Sequence, residues 1–341
     1  MKPAGPKDIA TLFDKARTQG QSFAAFRLPN AKDVNCLAGI ASRTLKDGEK
    51  AFAFAPFDPK LKPYYIKAQN AAPSREKPLA NERQKSTSKK LFTDLVKNIV
   101  TVIESGVYKK IVAARVLAVA KPASFDPVLL FEKLCARYES AFVSLTYIPA
   151  AGLWIGASPE VLVSETSTKL TTYSLAGTKA IDDHTDWTAK EIEEQQIVTD
   201  FIYKRVQKIV DEEPSVKGPM THEAGTVKHL LSVFTIPHRG KSIWKPIIKA
   251  LHPTPAVSGM PQKKSIKFIS ENESFERSFY AGYLGPVNWK GRTDLFVNLR
   301  CMEMTGSQLL FYAGCGVTAD SNPEREWQES ERKIDVLKSL M

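Results

Sequence analysis

No stretch of this sequence approaches the roughly 18 consecutive apolar residues that a membrane-spanning helix needs. The opening Met1-Lys2-Pro3-Ala4-Gly5-Pro6 has none of the apolar core of a secretory signal. The cytoplasm is therefore the expected compartment, with no membrane partner. Cysteine is scarce: Cys36, Cys135, Cys301 and Cys315 stand singly, without a C-x-x-C pair. That pattern fits packed thiols in a reducing compartment and argues against structural zinc. No G-x-G-x-x-G opens a helix, which speaks against a dinucleotide site. No heptad seam marks an association surface, so a monomer without an obligate protein partner is expected. Nor is there a helix studded with Lys and Arg or a basic stretch interleaved with aromatics, so nucleic acid is not the expected partner.

What is present is enough for a large core. The chain has 341 residues, 43% of them hydrophobic, and a formal charge of +11. Such a balance suits solubility, and it also draws in a small anion. Residues 1–90 carry short strand-like pieces such as Ala51-Phe52-Ala53-Phe54, then a stretch over 69–90 rich in Lys, Arg, Ser, Asn and Pro. The latter reads as an exposed basic loop. Helical spacing over 91–104 gives way to a β-branched strand over 110–119, and a helix over 129–138 is followed by closely spaced strands at 142–147, 153–155, 161–165 and 169–173. A long helix over 188–210, strands near 223–238, and helices near 242–251 and 262–271 come next. Strands over 279–287, 294–303 and 308–317 and a C-terminal helix complete the chain. Strands arrive in runs rather than in βαβ alternation, so the class is α+β, with large antiparallel sheets packed as a sandwich and covered by helices.

The most specific stretch is Leu251-His252-Pro253-Thr254-Pro255-Ala256-Val257-Ser258-Gly259-Met260-Pro261. Its prolines keep it out of a central strand and its apolar character keeps it out of solvent, so it is a fixed, partly buried turn. Taken alone it is as well explained by a rigid connector, and His252 by a satisfied core histidine. Glu326 and Glu329, spaced i, i+3 on the last helix, share a face with Lys333; in isolation they read as an exposed Glu329–Lys333 pair. Arg300 reads as an outward charge on an alternating strand, Lys110 as a strand-end lysine and Glu160 as a turn carboxylate.

Together with other segments, however, this stretch closely resembles the isochorismate synthases of the chorismate-utilising enzymes, whose relatives make anthranilate, aminodeoxychorismate and salicylate. Lys110-Ile111-Val112-Ala113-Ala114-Arg115 is similar to that family's K-V-V-x-A-R strand, Gly156-Ala157-Ser158-Pro159-Glu160 to its G-A-S/T-P-E turn, and Leu175-Ala176-Gly177-Thr178 to L-A-G-T. Glu193-Glu194-Gln195 resembles the start of E-E-H-x-x-V, Arg277 with Tyr280-Ala281-Gly282 resembles R-x-x-Y-A-G, and Ala313-Gly314-Cys315-Gly316-Val317 with 321–329 resembles A-G-A-G-I-V and S-x-P-x-x-E-x-x-E. The departures are Ala113, Gln195 and Cys315, none of which removes a charged catalytic group. The likeness runs in order over 91–341, the expected chorismate-binding catalytic region; 1–90 is expected to be a variable N-terminal part of the same large domain.

The resemblance implies roles. Lys110 is the general base that activates water and Glu160 the general acid. Glu194 and Glu329 ligate Mg2+, with Glu326 doing so directly or through water. Arg300, Lys333 and the backbone N–H of Gly314 hold the enolpyruvyl carboxylate, and Gly177, Thr178, His252, Ala256, Val257, Tyr280 and Gly316 complete the substrate-binding set. Chemistry adds a demand: an ordinary lysine is protonated near neutrality and an ordinary glutamate is not. Lys110 thus needs burial or a neighbouring cation, and Glu160 needs the desolvation that Leu153-Trp154-Ile155 could provide.

The resemblance also points to the product. Ammonia-using and salicylate-forming relatives carry threonine in the place of Ala256 and favour G-A/I-P-K where this chain has Gly259-Met260-Pro261-Gln262. Water attack at C2 with loss of the C4 hydroxyl is therefore expected, giving isochorismate for menaquinone or a catecholate siderophore. The alternatives are a salicylate synthase and a non-catalytic chorismate-binding protein; the latter would be expected to have lost Lys110, Glu160, Glu194 or Glu329, and all four are present.

Overall fold

The computed structural model describes residues 5–68, 84–224, 227–238 and 240–341. The loop expected over 69–90 falls mostly outside them; 84–88 is irregular chain and a helix already begins at Lys89. In chain order the elements are α1 (Pro6–Thr18), β1 (Ser22–Arg27), β2 (Asn35–Ser42), β3 (Ala51–Ala55), β4 (Tyr64–Lys67), α2 (Lys89–Glu104), β5 (Lys110–Ala120) and α3 (Pro127–Arg137). There follow β6 (Phe142–Ile148), β7 (Gly152–Ser158), β8 (Val161–Glu165), β9 (Lys169–Ala180), α4 (Ala189–Val206), β10 (Ser215–Ala224), β11 (Val227–Pro237) and α5 (Trp244–Leu251). The last are β12 (Gly259–Met260), α6 (Gln262–Asn272), β13 (Tyr283–Val287), β14 (Thr293–Val297), β15 (Cys301–Met304), β16 (Gln308–Val317) and α7 (Pro323–Lys338).

Among the described residues, 16 strands form one sheet in the order β10-β11-β9-β8-β14-β13-β3-β4-β2-β1-β6-β7-β15-β16-β5-β12, and every pair is antiparallel. The sheet curls so that its halves face each other. Phe142 of β6 stacks on Phe296 of β14 with ring centroids 4.1 Å apart, and Trp154 of β7 meets Phe54 of β3 at 6.2 Å. The α+β class is as expected, the sandwich being made from one continuous sheet. Helices shield the outer faces: α1 and α3 cover β1, β6 and β7, α2 and α7 cover β5 and β16, and α4 and α5 cover β8, β9 and β11. A second apolar cluster, including Phe13, Phe23, Phe131, Leu134 and Ile155, fills the space beneath α1 and α3. Curling also brings the two ends of the strand order, β9–β11 and β16–β5, to the same place.

Two departures from the sequence reading concern the strands. The single strand expected over 294–303 is broken, because β14 pairs with β8 while β15 pairs with β7 in the opposite half of the sheet. The chain turns between them, and Arg300 takes a left-handed φ of 46° there, a conformation that costs a non-glycine residue about 1 kcal/mol. Likewise β13 starts at Tyr283 and not near 279, since Ser278 and Ala281 turn with φ of 48° and 59°. Gly282 in that turn is packed against the Ala55 carbonyl oxygen, where a Cβ would collide. The helix α1 lies where the sequence showed only strand-like pieces.

The helices that carry the acidic residues start on clear signals. Asn322 Oδ1 accepts from the N–H groups of Glu324 and Arg325 with Pro323 in the first helical position, so α7 begins immediately before Glu326. Thr188 and Glu191 close a capping box at α4, which sets Lys190 and Glu194 one turn apart on one face.

Candidate active site

Where the two ends of the sheet meet there is a cavity. Its walls come from β5 (Val112), the turn after β7 (Pro159, Glu160), β9 (Leu175, Ala176, Gly177), β11 (His229) and β16 (Tyr312, Ala313, Gly314, Gly316), with Glu194, Glu329 and Lys333 reaching in from α4 and α7. Ala256, Val257, Tyr280, Leu299 and Arg300 close the rest. Gly316 leaves room here: a Cβ would displace the Glu194 carboxylate and the end of the Lys110 side chain. A Cβ at Gly314 would stand 2.8 Å from the Tyr280 hydroxyl.

Glu160 is buried among this wall, and burial pushes its carboxyl up to about 8, against the pull of Lys110 and Lys333. Trp154 and Ile155 of the strand before it are each 1% exposed. Val297 N–H donates to the Glu160 carbonyl at 3.0 Å and the Glu160 N–H to Ser158 Oγ at 3.3 Å, which fixes the turn. Lys110 is fully buried, and its Nζ donates to Glu194 Oε1 at 2.7 Å. Of the two alternatives expected from the sequence, burial or a neighbouring cation, the burial is present, and the group that Lys110 bonds is a carboxylate.

Arg300 is 9% exposed and, among the described residues, makes no ion pair; burial pulls its guanidinium down while Glu329 pulls it up. The break between β14 and β15, which the sequence reading missed, is what turns it inward. Tyr280 keeps its phenol proton because burial raises it far above the ordinary range, and its ring stacks on Tyr312 at 5.4 Å. Lys333 Nζ donates to Glu329 Oε1 at 2.5 Å and to the Gly314 carbonyl at 2.8 Å. The Glu329–Lys333 pair is therefore real, but it faces the cavity. Glu194, Glu329 and Glu326 each share an oxygen with a lysine, the last through Lys190 Nζ, which donates to Glu326 Oε1 at 2.8 Å.

Glu326 and Glu329 place donor oxygens within 4.8 Å of each other and of Cys315 Sγ. Burial and the Glu329 charge raise Glu326, the mark of two carboxylates crowded in a poorly solvated place. Glu194 lies outside that group but lines the cavity that Glu329 also enters, and all three carboxylates are hard oxygen donors of the kind Mg2+ prefers. Cys315 does not change that character: burial holds its thiol far above the ordinary range, and its Sγ donates to the Glu326 carbonyl at 3.2 Å.

His252 is placed elsewhere. Its Nε2 lies 3.0 Å from the Pro56 carbonyl, its ring packs edge-on to Tyr283 at 5.1 Å, and it does not line the cavity. Burial pulls it down to about 4, so it is a neutral core histidine that anchors the proline turn. That turn delivers Ala256 and Val257 to the cavity. The Thr178 side chain lies outside the described ones. Gln195, in the place where histidine is usual, donates to the Ser174 carbonyl at 3.0 Å and to Ser232 Oγ at 3.2 Å, away from the acidic cluster. The sequence reading passed over His229, whose Nδ1 lies 3.0 Å from the Gly177 carbonyl and which burial and Arg300 lower to about 3. It also passed over Tyr312 and Lys190. Each stands in an ordinary-looking strand or helix, and only the three-dimensional convergence marks it.

A family profile described as chorismate binding enzyme matches residues 59–341. The chain belongs to this family. The match begins well before residue 91, where the motifs start, so β4 is part of the family's common chain. Isochorismate synthase EntC of Escherichia coli (strain K12) is 25% identical over 266 residues, 75% of this chain and 68% of that protein. The vibriobactin-specific isochorismate synthase of Vibrio cholerae is 24% identical over 327 residues, 90% and 83% of the two chains. Among solved structures, MenF, the menaquinone-specific isochorismate synthase from Escherichia coli, superposes with a TM-score of 0.80 at 20% identity, covering 95% of this chain and 90% of its own. Anthranilate synthase component I from Streptococcus pneumoniae superposes at 0.70 with 20% identity, covering 87% and 82%. At such identities the superpositions speak for a shared fold.

Proposed function

We propose that this member of the chorismate-binding enzymes is an isochorismate synthase, adding water at C2 of chorismate and expelling the C4 hydroxyl, with magnesium as its cofactor. The observation that carries the reading is Glu160, a cavity carboxyl held to about 8 by burial. A carboxyl that keeps its proton at neutral pH is what departure of a hydroxyl requires. Lys110 removes a proton from the attacking water, Glu160 gives one to the leaving hydroxyl, which departs as water, and both ring double bonds shift by one position, carrying the electron pair from C2 through C1, C6 and C5 to C4. One water enters and one leaves, so the net change is an isomerisation without redox.

Arg300 suits the enolpyruvyl carboxylate because its planar fork can donate two parallel hydrogen bonds, and Lys333 and the Gly314 N–H complete that cradle. Ala256 and Val257 lie against the ring. Glu194, Glu326 and Glu329 would hold magnesium, which when bound neutralises charge beside the ring carboxylate. On this reading the enzyme works in the cytoplasm as a monomer, on a small molecule, in menaquinone or catecholate siderophore formation. Among the described residues no helix is long and apolar enough to cross a membrane. The test is an NMR assay of purified protein with chorismate and Mg2+: isochorismate as sole product is expected, pyruvate release would mean a salicylate synthase, and no turnover would defeat the reading.

A further inference from the structure

The three carboxylates proposed as metal ligands are treated alike. Lys110 Nζ holds one oxygen of Glu194 at 2.7 Å, Lys333 Nζ one oxygen of Glu329 at 2.5 Å and Lys190 Nζ one oxygen of Glu326 at 2.8 Å. In each carboxylate one oxygen is thereby engaged by a lysine; Glu326 is also hydrogen-bonded by the Ser321 side chain and Glu329 by Cys315. Lys110 and Lys333 have roles in the reaction proposed above. Lys190 has none, although its carbon stem is largely buried and its charge is felt by Glu194 and Glu329 as well as by Glu326. It sits on α4 one turn before Glu194 and reaches across to α7; among the described residues, Lys190–Glu326 is the one ion pair joining these two helices.

We propose that Lys190 is a positioning residue that sets which divalent cation the cluster accepts, by occupying Oε1 of Glu326 and so keeping that carboxylate from binding through both oxygens. Three carboxylates each offering one oxygen suit a small octahedral ion that fills its remaining positions with water and substrate. A larger ion such as Ca2+ takes more oxygens at longer distances and gains from a carboxylate that binds through both of its oxygens. Lys190 denies it that second oxygen. The inference rests on the metal reading given under the proposed function, and it assigns Lys190 an effect on selectivity, which removal of a positive charge alone would not produce: lost repulsion strengthens binding of Mg2+ and Ca2+ together.

The test is calorimetric titration of the purified full chain with Mg2+ and, separately, Ca2+, in the absence of substrate, for wild type, Lys190→Met and Lys190→Arg. Methionine keeps the length of the side chain and removes its donors; arginine keeps charge and donors. Lys190→Met is expected to shift the ratio of the two affinities toward Ca2+ by about tenfold, the scale of losing a partner of a metal ligand, with Lys190→Arg close to wild type. Circular dichroism and thermal melting check that the variants are folded. An unchanged ratio, or equal strengthening for both ions, would overturn the inference while leaving the metal reading standing. Wild-type protein that binds neither ion would overturn both.

Discussion

Lys110 and Glu194 form an ion pair at 2.7 Å across the two ends of the sheet, β5 supplying the lysine and α4 the glutamate. The group proposed as base and a group proposed as metal ligand are thus fixed against each other. Lys110→Ala is expected to lower kcat by at least about a hundredfold, the usual contribution of a positioned base, with Mg2+ binding retained by calorimetry. Near-normal turnover would mean that another group activates the water. Glu194→Ala should abolish both activity and the response to Mg2+, and excess chelator should silence the wild type.

Glu160 predicts the basic limb of the pH profile. Its carboxyl is raised to about 8, so the acid form is present below that value and lost as pH rises through it. The kcat/KM of the wild type should therefore fall above about pH 8, and Glu160→Gln should be slower by orders of magnitude with the limb gone. A basic limb that survives in Glu160→Gln would assign it to some other group.

The same shift has a stability consequence of opposite benefit. A carboxyl whose folded value lies above its unfolded value gives its full stabilisation below the unfolded value, near 4.5, and loses it progressively up to about 8. Glu160→Gln should therefore melt at a higher temperature than wild type at pH 9 and show no such advantage at pH 4. Equal melting differences at both pH values would contradict the burial argument.

Arg300→Lys should raise KM for chorismate by roughly tenfold, because a point charge replaces a bidentate fork. The left-handed backbone at residue 300 is common to both side chains, so the comparison isolates the guanidinium. An unchanged KM would put the carboxylate elsewhere.

Ala256 lines the cavity, and Ala256→Thr introduces a branch and a hydroxyl beside the ring. A slower reaction, or a second product seen by NMR, is expected; unchanged rate and product would make Ala256 a subfamily marker without mechanical effect.

Much of the site could be read in the sequence because its residues lie in short contiguous motifs: Glu160 in its turn, Gly314 and Gly316 in theirs, Glu329 and Lys333 on one helical face. All of them reach one cavity. Legibility failed where function depends on partners distant in sequence. Arg300 was expected on a regular strand, yet what aims it inward is the break that lets β14 and β15 pair in opposite halves of the sheet. His252 sits in the most telling motif but spends its ring on Pro56, 196 residues away. Lys190 and His229 occupy positions whose local pattern is that of any helix or strand, and nothing short of the folded chain distinguishes them. The helix α1 escaped the sequence reading although its residues are amphipathic, and its apolar face packs against α3 and β1, partners that only the folded chain supplies.

Among the described residues the curled sheet has ends that are not hydrogen-bonded to one another, β10 at one margin and β12 at the other, and the cavity is lined by β9 and β11 from the one side and by β5 and β16 from the other. A cation and a dianion seated between α4 and α7 would then act as a clasp on an unzipped seam, doing between helices what ladder hydrogen bonds do everywhere else in the sheet. Occupancy of the cavity is in this sense the last pairing step of the fold, and amide exchange in β9, β11, β16 and the start of β5 is where its tightening would be felt.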